Sequence, residues 1–334
     1  MIQINQRKIE HIKIVLERNV EPVESQFNKY KIPYSALPEL SMNNIDTSTI
    51  FFGKKLSFPF IISSMTGGPE KGTIINKNLA IAAEKAKVAL GLGSMRVVIK
   101  NPESIRSFQV RKYCPSIPLF ANVGIVQLNY GFGIDEFNKI IDIAQADGIF
   151  VHINHLQEVI QPEGDTDFSN LLAKLEKIIK KIKVPVLAKE VGAGIDKKTA
   201  KRLFEIGVKW IDVAGLGGTN WTLVEGYRDN LELGKLFAQV GIPTDKALSQ
   251  CLQIKGLNLI AGGGLRSGLD IAKSIMLGAK LGAAAKPFLA PALASQKAVY
   301  EKLKKFKHEL KITMFALGVK NINELKKKKL YIDC

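Results

Sequence analysis

Residues 258–288 read NLIAGGGLRSGLDIAKSIMLGAKLGAAAKPF. A short apolar run, Asn258–Gly263, meets three glycines, Gly262 to Gly264, and a helical pattern opens at Ser267. Serine is a favoured N-cap because its hydroxyl accepts from an orphaned N–H of the first turn. Gly278 closes the helical pattern, and a second apolar run, Lys280–Phe288, follows at once. Glycines let backbone N–H groups approach an anion, and the helix start adds a favourable dipole. An ordinary tight turn would also use glycine here, so the remaining runs must decide.

The same rhythm recurs upstream. Apolar runs fall at Phe58–Met65, Lys87–Ser94, Pro118–Val123, Gly148–Asn154, Val184–Val191 and Trp210–Leu216. With the two above that makes eight. Most are continuously apolar, as strands buried on both faces should be. Between them lie helical stretches such as FSNLLAKLEKIIKKI, with Leu171, Leu172, Leu175, Ile178, Ile179 and Ile182 on one face, and KKTAKRLFEIG, ending at Gly207. Eight strand–helix alternations predict a (β/α)8 TIM barrel rather than an open doubly wound sheet. Two extensions flank it. Residues 1–57 hold a short helix, about Arg7 to Arg18, and an irregular segment; residues 291–334 are Lys-rich and helical. No low-complexity linker divides the chain, so residues 1–334 are read as one domain.

Composition sets outer limits. Of 334 residues 46% are hydrophobic, enough for a large core. Cys114, Cys251 and Cys334 are far apart, which points to a reducing, cytoplasmic setting without a disulfide framework. The N-terminus is too charged for a signal peptide, and no apolar run is long enough to span a membrane. The net charge of +17 would attract anions. Aromatics are only 7% and no nucleic-acid motif is present, so solvated lysines are preferred over a nucleic-acid surface.

Polar and glycine residues gather where the strands end: Thr66-Gly67-Gly68, Ser94 and Arg96, Asn122, Lys189, Gly217-Gly218-Thr219, and Ala283 to Ala285. That rim is where barrel enzymes place their chemistry. Lys189 interrupts a buried strand, and its neighbour Glu190 should face the other way. Arg7 and His11 lie four apart on the first helix and, with Lys8, could grip a phosphate. The richest stretch is HINHLQEVIQPEGD, His152 to Asp165. His152 and Asn154 are two apart on a strand and face one way. The spacing does not suit zinc, whereas the single carboxylate of Glu158 suits Mg2+ completed by phosphate and water. A polar loop capping the next helix is the plain alternative.

Taken in order, RKIEHI, MTGG, GLGSMR, HINHLQEVIQPEGD, VLAKEVGAGI, DVAGLGGTNW and AGGGLRSGLDIAKSIMLGA resemble the motifs of the type 2 isopentenyl-diphosphate isomerases, over about Arg7 to Leu325. The resemblance implies a barrel that holds FMN, active when reduced. It implies Mg2+, NADPH or NADH as reductant, and conversion of isopentenyl diphosphate to dimethylallyl diphosphate. It also implies a homo-oligomer, a tetramer or octamer. Carried over by motif, Arg7, Lys8 and His11 would bind diphosphate, with Arg96, His152 and Asn154 facing substrate. Gln157 would sit at the reacting carbons and Glu158 would ligate Mg2+. Met65, Thr66, Gly67, Ser94, Asn122 and Lys189 would line FMN, as would Thr219, Gly263, Arg266, Ala284 and Ala285. Met95, Ala214 and His155 depart from the family pattern. The sequence leaves protonation and radical routes both open. An FMN-dependent hydroxy-acid oxidoreductase on the same barrel is the competing reading; it would want a His base and Arg residues gripping a carboxylate.

Overall fold

The computed structural model describes residues 2–68 and 70–332. Eight parallel strands close into a barrel: β1 (Phe60–Ile62), β2 (Ala89–Gly91), β3 (Leu119–Gly124), β4 (Gly148–Ile153), β5 (Val186–Glu190), β6 (Trp210–Asp212), β7 (Asn258–Ala261) and β8 (Leu281–Ala284). Each pairs with its sequence neighbours, and β8 pairs with β1 to seal the sheet. All eight apolar runs contain a strand. Seven of the strands are shorter than their runs, because the polar rim residues leave the ladder, while β3 is as long as its run and ends one residue beyond it, at Gly124. Lys280–Phe288 shows this best: pairing stops at Ala284 and a helix begins at Lys286.

The helices that matter for the site are α1 (Ile2–Glu17), α2 (Glu70–Ala86), α3 (His155–Ile160), α4 (Leu171–Ile179), α5 (Lys197–Glu205), α6 (Trp221–Gly226), α7 (Gly268–Met276), α8 (Lys286–Ala294) and α9 (Gln296–Ala316). The Ser267 hydroxyl accepts from the Asp270 N–H, so the expected N-cap of α7 is made. Gly207 and Gly278, at φ of +110° and +101°, stop α5 and α7 in the left-handed region. The first helix starts earlier than the expected Arg7, at Ile2.

Two apolar cores result. One lies between the strands and the surrounding helices. The other fills the barrel and is closed by residues that the sequence reading left irregular. Thr49–Phe51 and Lys54–Leu56 form a hairpin whose turn residues, Phe52 and Gly53, both have positive φ, +47° and +72°. The turn drives Phe51 and Phe52 against Phe120 and Trp210, with Phe51 ring centroids 5.5 Å and 4.9 Å from those two. The barrel floor is therefore solid, which leaves the opposite rim for ligands.

The two extensions meet. Tyr331–Ile332 pairs antiparallel with Tyr30–Lys31, and Asp46 bridges to Asn321. The Lys-rich end is thus joined to the N-terminal segment through its last described residues. No helix among the described residues is long and apolar enough to cross a membrane.

Candidate active site

A cavity of about 1630 Å³, counting the space at its mouth, opens at the C-terminal ends of the strands. Every residue given a substrate, flavin or metal role from the sequence lines it except Gly67. Gly67 instead sits beneath the wall, where an added Cβ would strike the Phe108 ring at 2.3 Å. His155 is exposed and packs its ring near Phe168, away from the cavity.

Three cations meet on one side. α1 passes over the rim and brings down Arg7 and Lys8, while Arg96 opens the short helix Arg96–Lys100 after β2. Burial, together with Arg7 and Arg96 nearby, pushes the Lys8 ammonium down to about 7. Burial and then Arg96 also lower Arg7. Cations that depress one another's charge favour an anion between them. Lys8 donates to the Ser94 carbonyl at 3.3 Å, which anchors α1 to the rim.

Beneath them runs a polar network. Asn154 Nδ2 donates to Gln157 Oε1 at 3.1 Å and to Glu158 Oε1 at 2.8 Å. Gln157 Nε2 donates to Glu225 Oε1 at 2.8 Å. Glu225 is fully buried on α6, with His11 Nε2 at 2.9 Å and Arg228 donating at 2.7 Å. Burial alone would raise its carboxyl, but His11, Arg228 and Gln157 hold it down at about 2. With its amide turned so that both ends are satisfied, Gln161 completes the ring, donating to Glu225 at 3.1 Å and accepting from Arg7 at 2.9 Å. Sequence reasoning missed Glu225 and Gln161. Their signal was faint: one carboxylate inside WTLVEG and one amide one helical turn after Gln157.

The strand ends show the same close coupling. His152 Nδ1 lies 2.7 Å from Asn122 Oδ1, and Asn122 Nδ2 donates to Ser64 at 2.7 Å. An amide oxygen only accepts, so the His152 proton sits on Nδ1 and Nε2 is left as an acceptor. Burial, then Arg96 and Lys189, push this imidazole down to about 3. Lys189 Nζ bonds Asp212 at 2.9 Å, its register partner across β5 and β6. Glu190 faces away, as expected, and its carboxylate takes the four N–H groups of Val191 to Gly194.

The glycine loops have a second purpose. A Cβ at Gly263 would fall 2.2 Å from the Gly215 carbonyl, and one at Gly218 would fall 2.9 Å from the Gly264 nitrogen. The two loops interlock through bare backbone. Together with Ala283 to Ala285 they form a wall nearly free of side chains, which suits a planar ring carrying a phosphate tail. Arg266 and Lys286 stand beside it, both paired with Glu21, the latter at 3.4 Å. Among the described residues no three His, Cys, Asp or Glu converge as a metal cage. Glu158 offers a single buried carboxylate, and the nearby Asn154 Oδ1 is buried without a partner. That set fits a Mg2+ ion completed by a bound phosphate, and no metal held by protein alone.

The FMN-dependent dehydrogenase family matches residues 152–332. Solved structures of similar fold include a mandelate oxidase variant with a monooxide FMN adduct (TM-score 0.63, 16% identity, 92% of this chain and 89% of that one). A flavocytochrome b2 variant with sulfite bound is another (TM-score 0.69, 19% identity, 97% and 79%). At these identities the likeness concerns the fold. Curated relatives are much nearer. The isopentenyl-diphosphate delta-isomerase of Nostoc sp. is 45% identical, covering 97% of this chain and 95% of that protein. That of Rickettsia bellii is 45% identical over 98% and 97%, and that of Oceanobacillus iheyensis 43% over 97% and 95%. Full-length identity at this level, on an FMN-family barrel with a cationic grip over its rim, places the chain in the FMN-dependent, type 2 isopentenyl-diphosphate delta-isomerase family.

Proposed function

We propose that this chain converts isopentenyl diphosphate to dimethylallyl diphosphate by a 1,3-proton shift, with reduced FMN and Mg2+ bound and NADPH or NADH as the source of electrons. The observation that supports it most is the cationic trio of Arg7, Lys8 and Arg96 directly above the Asn154–Gln157–Glu225 network. A diphosphate gripped by the trio would lower its short hydrocarbon end into the barrel mouth.

Moving a double bond adds one proton and removes another, and an alkene is a feeble base. Reduced FMN would supply the proton added to the alkene and an electron-rich surface that favours developing positive charge. The chain's residues do the rest. Gln157 is held at both ends of its amide, so its oxygen and nitrogen have fixed directions. Glu225 stays ionised and keeps a negative charge one hydrogen bond away, which favours a cation-like centre. Once such a centre forms, its neighbouring proton is acidic, and a weak acceptor such as the Gln157 oxygen suffices. Glu158 would hold Mg2+ against the diphosphate, with the metal acting as a template. Ser94, Asn122, Thr219, Arg266 and the Gly263 and Ala284–Ala285 backbone would hold the flavin. Because α1 supplies three of the substrate groups, barrel and N-terminal extension work as one domain.

The hydroxy-acid oxidoreductase reading needs a competent base. His152 is ill placed for that part: its Nδ1 is tied to Asn122 at 2.7 Å, and burial, Arg96 and Lys189 all lower its basicity.

The test is an anaerobic assay of isopentenyl diphosphate conversion, with and without reduced FMN and Mg2+, for the wild-type chain and Gln157→Asn. Conversion requiring both, and lost about 100-fold when Gln157 is shortened by one methylene, is expected, since misplacement by about 1 Å costs that much. No conversion by flavin-loaded wild-type protein overturns the proposal. Wild-type turnover in Gln157→Asn removes that residue from the chemistry.

A further inference from the structure

The tail of the fourth-strand motif beyond Gln161, Pro162-Glu163-Gly164-Asp165, has no part in the function above, yet it touches three of its residues. After α3 the chain turns back on itself. An added Cβ at Gly164 would fall 1.8 Å from the Glu158 carbonyl oxygen, so only glycine permits the return. The turn brings the Asp165 N–H to Glu158 Oε2 at 2.9 Å. The Asp165 carboxylate then pairs with Arg96, and the buried Gln127 donates to the same oxygen at 2.8 Å. Two residues back, Glu163 Oε1 lies 3.7 Å from Arg7 and accepts from Arg228 at 2.8 Å.

The two carboxylates of this turn therefore each meet one of the two arginines over the cavity. The same turn fixes the carboxylate proposed for Mg2+. Asp165 is no loose counter-ion, being held by Gln127 on one side and by its own backbone on the other. A guanidinium has five donors in a fixed fork, so one edge can be pinned while another faces a ligand.

We propose that Glu163-Gly164-Asp165 is a positioning clamp, in which Asp165 aims Arg96, Glu163 aims Arg7, and the turn sets Glu158 for the metal-bound diphosphate. This rests on the function proposed above. It makes Asp165 a positioning residue, since it acts through Arg96 and Glu158.

The experiment measures binding of inorganic pyrophosphate to the FMN-loaded protein by calorimetry, with and without Mg2+. Wild type, Asp165→Ala and Asp165→Asn are compared, and the KM for isopentenyl diphosphate is taken alongside. Loss of one charge-assisted hydrogen bond should weaken pyrophosphate about tenfold in Asp165→Ala. Asp165→Asn keeps an acceptor oxygen in place and should recover part of that loss. KM should rise by more than kcat falls, and FMN affinity should be retained. If Asp165→Ala does not fold, a weakening of about threefold in Asp165→Asn carries the result. Unchanged pyrophosphate affinity in the folded variants overturns the clamp. So does tighter binding, which would make Asp165 a competitor for Arg96. If wild type binds pyrophosphate more tightly than the variants but does not isomerise, the function fails and the clamp stands. If wild type isomerises and the variants bind as it does, the clamp fails and the function stands.

Discussion

Lys8 shows how one residue can report on its site. Free of ligand, its ammonium is held at about 7 by burial and by Arg7 and Arg96. A bound diphosphate favours the charged form and raises that value. Above pH 7 the ligand-free lysine is largely neutral, so binding must bring a proton to it. Near pH 8 the wild-type chain should therefore take up close to one proton more on binding pyrophosphate than Lys8→Arg, which keeps a cation at the rim but does not titrate there. Calorimetry in buffers of different ionisation enthalpy reads the difference directly. Equal proton uptake in wild type and Lys8→Arg would assign the proton elsewhere.

At the scale of elements, α1 is the part most dependent on a few contacts. Its apolar grip on the rim comes chiefly from Ile12 and Val15. Its polar grip passes through Arg228, which bonds Glu10 on α1 at 3.1 Å, Glu163 at 2.8 Å and Glu225 at 2.7 Å. Removing Arg228 leaves the buried Glu225 without its arginine partner, a change that ordinarily costs several kcal/mol, about 3–5, for a buried pair. Arg228→Ala should speed amide hydrogen exchange in α1 and raise the KM for isopentenyl diphosphate at least about tenfold, with exchange in β3 and β4 unchanged. Equal exchange in α1 of variant and wild type would mean that the helix docks without this latch. How far such elements were legible depended on local signals. α7 was readable because Ser267 and Gly278 mark its ends, and β5 because Val184–Val191 is apolar on both faces. The hairpin of Phe51 and Phe52 was not, since its meaning is long-range: two rings filling a barrel whose other strands lie far along the chain. Lys189 announced itself as a buried cation, while Asp212 did not, because only strand register brings the pair together. Glu225 was hidden for the same reason. Three of its partners, His11, Gln157 and Gln161, come from other elements, and a lone Glu in a short helix looks like any solvated acid.

For the whole molecule, the arrangement of its two cores bears on what flavin removal would do. The barrel interior is closed at the floor by Phe51, Phe52 and Trp210, and the outer core lies under α2, α7, α8 and α9. Neither core depends on the rim cavity for its main apolar contacts. The flavin-free chain should therefore stay folded, with the rim loops and α1 the first parts to loosen. FMN adds stability by mass action, about 2.7 kcal/mol when free flavin is a hundred times its Kd. Stripping the flavin should leave the far-ultraviolet circular dichroism of the barrel intact and lower Tm by several degrees, with FMN restoring it in a concentration-dependent way. Pyrophosphate with Mg2+ should then raise Tm again. That second increment should shrink in high salt, because a ligand drawn by a protein of net charge +17 gains part of its binding from screened attraction. Loss of the barrel's circular dichroism on stripping would show instead that the cavity's ligand is part of the core. A second increment indifferent to salt would mean that the close contacts of Arg7, Lys8 and Arg96 supply the anion binding without the long-range field.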